Sequence, residues 1–444
     1  MPEGRKKTAD AVRFKKMELL ALAESGISYA LLRDPRDWHD TGDTDILVRN
    51  AEDPEDALLS MGYVRFGKKP RSSKYIKYNC PTDEWMLLDV QSVITLGDTE
   101  TPAELTERLL ESARTADDKI PRIPDPDRTI LLLFHAALNK GVIEPEYRSR
   151  IFGPDTPSAD DLKGSYSFLP EPPDYYLGLI DAVKEGKTTD RDTVKKIRSS
   201  FGFSGQPCPS VVVRAYRRIR CFLKGSRAIA FLGPDGAGKT ALTEPFAKLR
   251  WPPVRRQFMG PSSRPDMRDW LRLLLSVFGK MRDAFSKVNP AGFIARICWQ
   301  LVCYIDLADR VYRHWWFRGS GGAVVYDRYA CDMYVRKPTI LNEILFIRLF
   351  PKPVYVFLCV GDPEEIHERK PELSPADIEH TLDLYRQKLT RYGIPFTEIN
   401  TTKHDIQENV FSVTGLLTER NWFAAEQEIE AGAVQERCHD KQIR

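Results

Sequence analysis

Eight consecutive residues carry the clearest chemistry: Gly233-Pro234-Asp235-Gly236-Ala237-Gly238-Lys239-Thr240. They fit the pattern GxxxxGK followed by Ser or Thr at every required position. Glycines without side chains let consecutive backbone N–H groups approach phosphate oxygens, and the helix that follows adds its positive N-terminus. Lys239 then neutralises the β- and γ-phosphates, and the Thr240 hydroxyl holds Mg²⁺. The cofactors expected are ATP and Mg²⁺, and the chemistry is phosphoryl transfer. A second element is Gly322-Ala323-Val324-Val325-Tyr326-Asp327-Arg328-Tyr329. An acid that ends an apolar strand sits at the carboxyl edge of a sheet, where open α/β folds collect ligands. Asp327 is thus placed to reach the metal or its water shell, and Arg328 to bind an anionic acceptor. Read alone, the same Asp also fits a helix cap with an Arg partner.

A third set lies near the start. In Gly42-Asp43-Thr44-Asp45-Ile46-Leu47-Val48, alternation puts Asp43 and Asp45 on one face of an entering strand, where they can share a divalent metal. Asp89, ending Trp85-Met86-Leu87-Leu88-Asp89-Val90, is the third acid. Arg33, Lys74 and Lys77 are candidate phosphate contacts beside it. The plainer alternative is a surface turn whose Asp residues cap and solubilise, beside solvated lysines.

Positioning these groups requires two α/β assemblies. Residues 11–100 alternate short patterns: a helix around Phe14–Ser25, strands at Tyr29–Leu32 and Asp45–Val48, a helix over Pro54–Met61, then strands near Tyr75–Tyr78 and Trp85–Val90. From Pro126, RTILLLFHAALNKG reads as a buried helix ending at Gly141. Helices near Asp174–Lys184 and Asp190–Ser199 complete a helical extension, with Phe152–Pro173 a long loop between. Gly202–Ser210, GFSGQPCPS, breaks both helix and strand and marks the boundary. Beyond it RAIAFLG, AVVYD and VYVFLCV are continuous apolar runs, as parallel strands covered on both faces require. Pro245 must lie in the first turn of the helix after the glycine loop or bend it. The expected domains are 1–125 (mixed α/β), 126–205 (helical extension and loop), 206–225 (basic linker helix), 226–420 (the glycine-loop domain) and 421–444 (polar tail).

Composition agrees with this and narrows the class. The chain has 444 residues, 42% hydrophobic and 29% charged, so it holds several globular domains and is neither fibrous nor disordered. A formal charge of +3 announces no polyanion partner. Eight cysteines without a CxxC pair suit a reducing compartment. No signal peptide pattern opens the sequence, and the longest apolar stretch, Phe293–Ile305, contains Arg296 and is too short to span a bilayer. A cytoplasmic location is expected. The cluster Arg214, Arg217, Arg218, Arg220, Lys224 and Arg227 reads as a solvated or interdomain helix face. The cluster from Lys248 to Arg268 follows the loop's helix and borders the acceptor side. His135 and His367 are read as structural, and the aromatics of DRVYRHWWF as core or interface rather than a base-stacking platform.

GPDGAGKT, the DRY triplet at Asp327 and the region closing the domain resemble thymidylate kinase and its relatives among P-loop nucleoside monophosphate kinases, over about Arg227 to Glu419. The resemblance implies a parallel sheet flanked by helices and a phosphate acceptor. It implies that Arg310, in Asp309-Arg310-Val311-Tyr312-Arg313-His314, reaches the acceptor phosphate. It makes Arg369 and Lys370, in VYVFLCVGDPEEIHERKPELS, lid cations, and Asp235 a residue that orients the acceptor sugar or organises the metal shell. TEINTT matches the last strand of that family. Where thymidylate kinases carry Arg-Glu-Pro-Gly, this sequence has FMGPSSRPD, with Arg264 as the substitute. The Asp43, Asp45 and Asp89 set resembles the nucleotidyltransferase fold, in which paired acids and a third hold two metals. Its usual Gly-Ser turn is replaced by LLRDPRDWHDTGD, where Arg33 compensates. Three readings stand: a nucleoside monophosphate kinase, dTMP included; a kinase of another small molecule, such as a sugar or glycan precursor, coupled to the first domain; or an ATP-binding switch. The partner is a small-molecule phosphate acceptor rather than nucleic acid, and a homodimer is left open.

Overall fold

In the computed structural model the chain forms two compact units, Met1–Pro209 and Ser210–Arg444. Residues 2–32, 44–69, 71–97, 99–115, 117–153, 162, 166–203, 215, 219, 227–249, 252–260, 267–284, 291–319, 322–336, 339–348, 350–420 and 422–423 are described. The basic cluster at 214–224, apart from residues 215 and 219, and the polar tail from 424 onward lie outside them.

The first unit runs α1 (Pro2–Glu24), β1 (Tyr29–Leu31), β2 (Thr44–Val48), α2 (Glu55–Ser60), β3 (Val64–Lys69), β4 (Ser72–Asn79), β5 (Glu84–Gln91), β6 (Thr95–Leu96), β7 (Thr99–Glu100), α3 (Ala103–Glu111), β8 (Arg114–Thr115), β9 (Pro121–Arg122), α4 (Asp125–Phe134), α5 (Pro145–Ile151), α6 (Pro173–Lys184) and α7 (Asp190–Ser200). Its main sheet has the order β3-β4-β5-β2-β1-β9-β8 and is mixed: β2 pairs parallel with β5, while β1 with β2 and β4 with β5 are antiparallel. Alternation along β2 feeds two cores. Ile46 and Val48 join Leu19 and Leu22 of α1 on one face, and Leu47 joins residues of α3, α4, α6 and α7 on the other. The helices after residue 126 thus share a core with the sheet. The helix from Asp125 widens into a π-helical stretch over His135–Lys140 and stops at left-handed Gly141, φ 74°. Arg198, buried, donates to the Ala137 and Leu138 carbonyls there, each at 3.2 Å.

The second unit runs β10 (Ala228–Leu232), α8 (Lys239–Ala247), β11 (Val254–Phe258), α9 (Asp269–Ala284), α10 (Ala291–Gly319), β12 (Ala323–Asp327), α11 (Cys331–Arg336), a π-helical stretch (Glu343–Arg348), β13 (Tyr355–Val360), α12 (Pro363–Arg369), α13 (Pro375–Arg391), β14 (Phe396–Asn400) and α14 (Ile406–Glu419). Five strands in the order β11-β12-β10-β13-β14 pair parallel throughout, and helices flank them. This is the parallel α/β sheet expected of a P-loop kinase. β10, β12 and β13 are buried at every residue, which explains their unbroken apolar sequences.

Two expectations are corrected, and two strands are added. Pro245 sits in the last turn of α8 rather than in its first, and the helix ends two residues later. β3 and β11 are strands that the apolar pattern did not announce. Lys74 and Lys77 do not share a face, because a separation of three residues on a strand is odd. Lys77 turns to α1, donating to Glu18 Oε1 at 2.8 Å.

Candidate functional site

The loop leaving β10 is shaped by close approach. A Cβ on Gly233, φ 142°, would lie 2.6 Å from the Cys359 carbonyl oxygen, and one on Gly236, φ 90°, 2.6 Å from that of Ile366. Glycine is therefore demanded twice, by conformation and by space. The loop is tied at its far side by Thr401, after β14, whose hydroxyl donates to the Ala237 carbonyl at 3.3 Å. Ala237 and Lys239 are buried, and α8 starts at Lys239. The loop thus curls around the positive end of α8, an anion-binding geometry.

Lys239 donates to the Pro234 carbonyl of its own loop. Burial, with the Arg328 charge adding to it, pushes its ammonium down to about 8. The Thr240 hydroxyl donates to Asp327 Oδ2 at 2.9 Å. Asp327, 2% exposed, ends β12, opposite Phe231 of β10 and Phe258 of β11. A hydroxyl and a carboxylate in contact are oxygen ligands of the kind Mg²⁺ takes.

Arg328 follows immediately with a left-handed backbone, φ 68°, unusual for a residue with a Cβ. Its N–H donates to the Phe231 carbonyl at 3.0 Å. Its guanidinium bridges two carboxylates: Nη1 to Asp332 Oδ2 at 2.9 Å, and Nη2 to Asp235 of the loop. Burial alone would pull its pKa down, but Asp332 and Asp235 outweigh that and raise it. Tyr385 of α13 donates to the other oxygen of Asp332. Asp332 was not singled out in the sequence; its spacing of four after Arg328, on the helical side of the triplet, was the available signal.

The lid candidates lie against the loop. Arg369 Nη2 donates to the Thr401 carbonyl at 3.2 Å, and Lys370 Nζ is 3.9 Å from Asp235 Oδ1. Arg310 is placed differently. It is fully buried in α10, paired with Asp306 Oδ2 at 2.6 Å and donating to the Phe258 carbonyl at 2.8 Å. There it fixes the end of β11 to the helix, and its Nε makes no hydrogen bond among the described residues. Arg264 lies outside the described residues. Two further residues were missed: Arg256 of β11, which reaches Asp327, and Glu244 of α8, which pairs with Arg256. Arg256 falls inside the basic stretch from Lys248 to Arg268, but only the strand register shows where it points.

In the first unit, Asp45 and Asp89 are register partners on the parallel strands β2 and β5, so both project from one face. Lys74 is the β4 partner of Asp89, with Nζ 3.8 Å from Oδ2. Asp43 and Arg33 lie outside the described residues, and among the described residues no group of three or more His, Cys, Asp or Glu is arranged to hold a metal. Among them too, no helix is long and apolar enough to cross a membrane.

No protein-family model matches the chain, and no curated protein does. Similar solved structures include a thymidylate kinase from Ehrlichia chaffeensis, at 18% identity and TM-score 0.23, and a deoxyadenosine kinase from M. mycoides with bound dATP, at 13% and 0.27. Each alignment covers 43% of this chain and 98% of the other.

Proposed function

We propose that the second unit transfers a phosphoryl group from ATP to a small-molecule phosphate acceptor, with nucleoside monophosphates, dTMP among them, as the first class to test. One observation carries this reading. Lys239, Thr240, Asp327 and Arg328 converge at the carboxyl edge of a parallel sheet, joined through the 2.9 Å Thr240–Asp327 contact and the Arg328–Asp235 ion pair. An ATP-binding switch needs the loop and its threonine; an arginine placed beside them adds a cation for an acceptor phosphate.

The residues suit the cofactor. The glycines let the loop pack against the Cys359 and Ile366 carbonyls at the start of α8, and the Thr240 and Asp327 oxygens suit a hard cation. Bound Mg²⁺ would neutralise phosphate charge. Lys239, now on the Pro234 carbonyl, would exchange that partner for phosphate oxygens. Arg328 would hold the acceptor phosphate in line, with Asp235 setting its orientation. Arg369 and Lys370 would add positive charge over the transferring group. Positioning and electrostatics supply most of such catalysis, and the acceptor oxygen is the nucleophile, so no side chain need be.

The test is ADP formation by the purified chain with Mg-ATP and a panel of nucleoside monophosphates, nucleosides, sugar phosphates and oligonucleotides. Stimulation by a nucleoside monophosphate, lost in Lys239→Ala, is expected. Stimulation by a sugar phosphate alone would move the acceptor to the second class. Slow turnover that no acceptor stimulates would favour the switch.

Two narrower proposals accompany this one. The pairing of Asp45 with Asp89 on one sheet face supports metal-dependent nucleotide chemistry of the nucleotidyltransferase type in the first unit. The exposed residues Ile294, Leu301, Ile305 and Tyr312 of α10 support self-association into a homodimer.

A further inference from the structure

Arg256 is the third residue of β11 and the register partner of Val325 on β12. Asp327 lies two residues beyond Val325, so Arg256 and Asp327 project from the same face of the sheet. That face also meets α8, which supplies Thr240 and Glu244. The guanidinium divides itself between two acids: Nη2 donates to Asp327 Oδ2 at 2.9 Å, and Nη1 to Glu244 Oε1 at 3.2 Å.

The crowding falls on one atom. Asp327 Oδ2 accepts from Arg256 and also from the Thr240 hydroxyl, each at 2.9 Å. Two donors nearly exhaust what one carboxylate oxygen can accept in plane. Asp327 and Thr240 are the pair that the proposed function gives to Mg²⁺. The two Asp327 partners differ in kind. The threonine can turn its lone pairs to a cation without moving, whereas a guanidinium presents only N–H groups and positive charge. A cation joining Oδ2 must therefore displace Arg256.

The setting gives the arginine a reason to be there and a place to go. The Asp327 side chain is 4% exposed, and a buried carboxylate without a counter-charge is strongly disfavoured. Glu244, at 57%, stands in solvent on the other side of the guanidinium. We infer that Arg256 is a resident counter-ion of the metal site: it neutralises Asp327 and holds it on Thr240 when no metal is bound, and it withdraws toward Glu244 when a divalent cation takes its place. The identity of the cation rests on the phosphoryl-transfer reading, and the competition on the two contacts made to Asp327 Oδ2. It makes Arg256 a positioning residue that sets the concentration of free metal at which the site loads.

The two neighbours of Asp327 give opposite expectations. Full-length protein is mixed with a non-hydrolysable ATP analogue, and Mn²⁺ is titrated while the signal of free Mn²⁺ is followed by electron paramagnetic resonance. Arg256→Met removes the competitor and should tighten Mn²⁺ roughly tenfold, the scale of one charge-assisted hydrogen bond partly open to solvent. Glu244→Gln removes the retreat and should weaken Mn²⁺ severalfold; being an exposed change, it leaves the fold intact. Analogue affinity in EDTA should stay within about twofold in both variants. Unchanged or weaker Mn²⁺ binding in Arg256→Met overturns the inference, whatever Glu244→Gln does. Wild-type protein that takes up no analogue sinks the nucleotide reading instead. The titration without nucleotide then decides the matter, and equal Mn²⁺ affinity of wild type and Arg256→Met there overturns the competition as well.

Discussion

Arg328 and Asp235 form an ion pair across 93 residues of sequence, fastening the residue after β12 to the middle of the phosphate loop. On its other side Arg328 holds Asp332, whose side chain is 1% exposed. The guanidinium is thus a clasp between the loop that would bind the donor and the helix that follows β12. Its left-handed backbone aims it there at the cost of about 1 kcal/mol of strain.

Arg328→Gly separates strain from charge. Glycine relieves the positive φ, but Asp332 would lose its counter-charge in the interior, a change that costs about 3 kcal/mol in buried pairs. The net expectation is destabilisation by about 2 kcal/mol in urea unfolding. Adding Asp332→Asn should return most of it, because the orphaned charge is gone. Turnover stays lost in both, since neither restores a cation for the acceptor phosphate. A double variant no more stable than Arg328→Gly would refute the clasp.

Lys239 makes nucleotide binding pH-dependent. Burial first, and Arg328 second, lower its pKa to about 8, well under the usual lysine value. Between about pH 8 and 10.5 the unfolded chain binds more protons than the folded one, so this group makes stability rise with pH across that window. Nucleotide acts in the opposite sense: phosphate oxygens favour the ammonium and raise its pKa. Binding at pH 8.5 should therefore take up about three quarters of a proton, and affinity should fall as pH rises through 8. Calorimetry in buffers of different ionisation enthalpy reads that uptake directly. Lys239→Met should abolish it; uptake that survives the substitution would assign the proton elsewhere.

Much of this site is legible in sequence because its backbone demands are local. Gly233 and Gly236 carry left-handed or extended positive-φ backbone that the glycine pattern announces, and β10, β12 and β13 advertise themselves as apolar runs. β11 does not. It is an edge strand, and Arg255 and Arg256 break the apolar pattern, as charges on sheet edges commonly do. Arg256 and Glu244 became visible only when the β11–β12 register was known, since a diagonal contact between strands leaves no spacing in the chain. Arg310 shows another limit of the sequence. Its motif context suggested an acceptor ligand, but no spacing reveals that its arm is turned to Asp306 and the Phe258 carbonyl.

Asp45 and Asp89 provide a separable test of the first unit. In the Lys239→Ala background, consumption of nucleoside triphosphate with Mg²⁺ or Mn²⁺ should persist if the first unit has nucleotidyltransferase-type chemistry. Asp89→Asn should then reduce it at least a hundredfold, the scale expected when a metal ligand is lost. Asp43→Asn with Asp45→Asn should do the same. Consumption indifferent to these substitutions would leave the acids a structural role beside Lys74.

The outer face of α10 yields the last prediction. At 3.6 residues per turn, Ile294, Leu301, Ile305 and Tyr312 fall within about 40° of arc, opposite the buried Cys303. The four are also placed symmetrically about Cys303, Ile294 mirroring Tyr312 and Leu301 mirroring Ile305. Such a pattern is self-complementary for two copies crossing antiparallel on a two-fold axis, where Leu301 of one meets Ile305 of the other near the axis. A membrane surface would need no such symmetry. Light scattering with size exclusion should therefore give a dimer mass that Leu301→Glu shifts to monomer, because a charge would then be buried against Ile305 of the other copy. Leu301→Met, which keeps the apolar face, should remain dimeric. A wild-type monomer mass at every concentration would refute the interface, while leaving the phosphate site, built wholly from one chain, untouched.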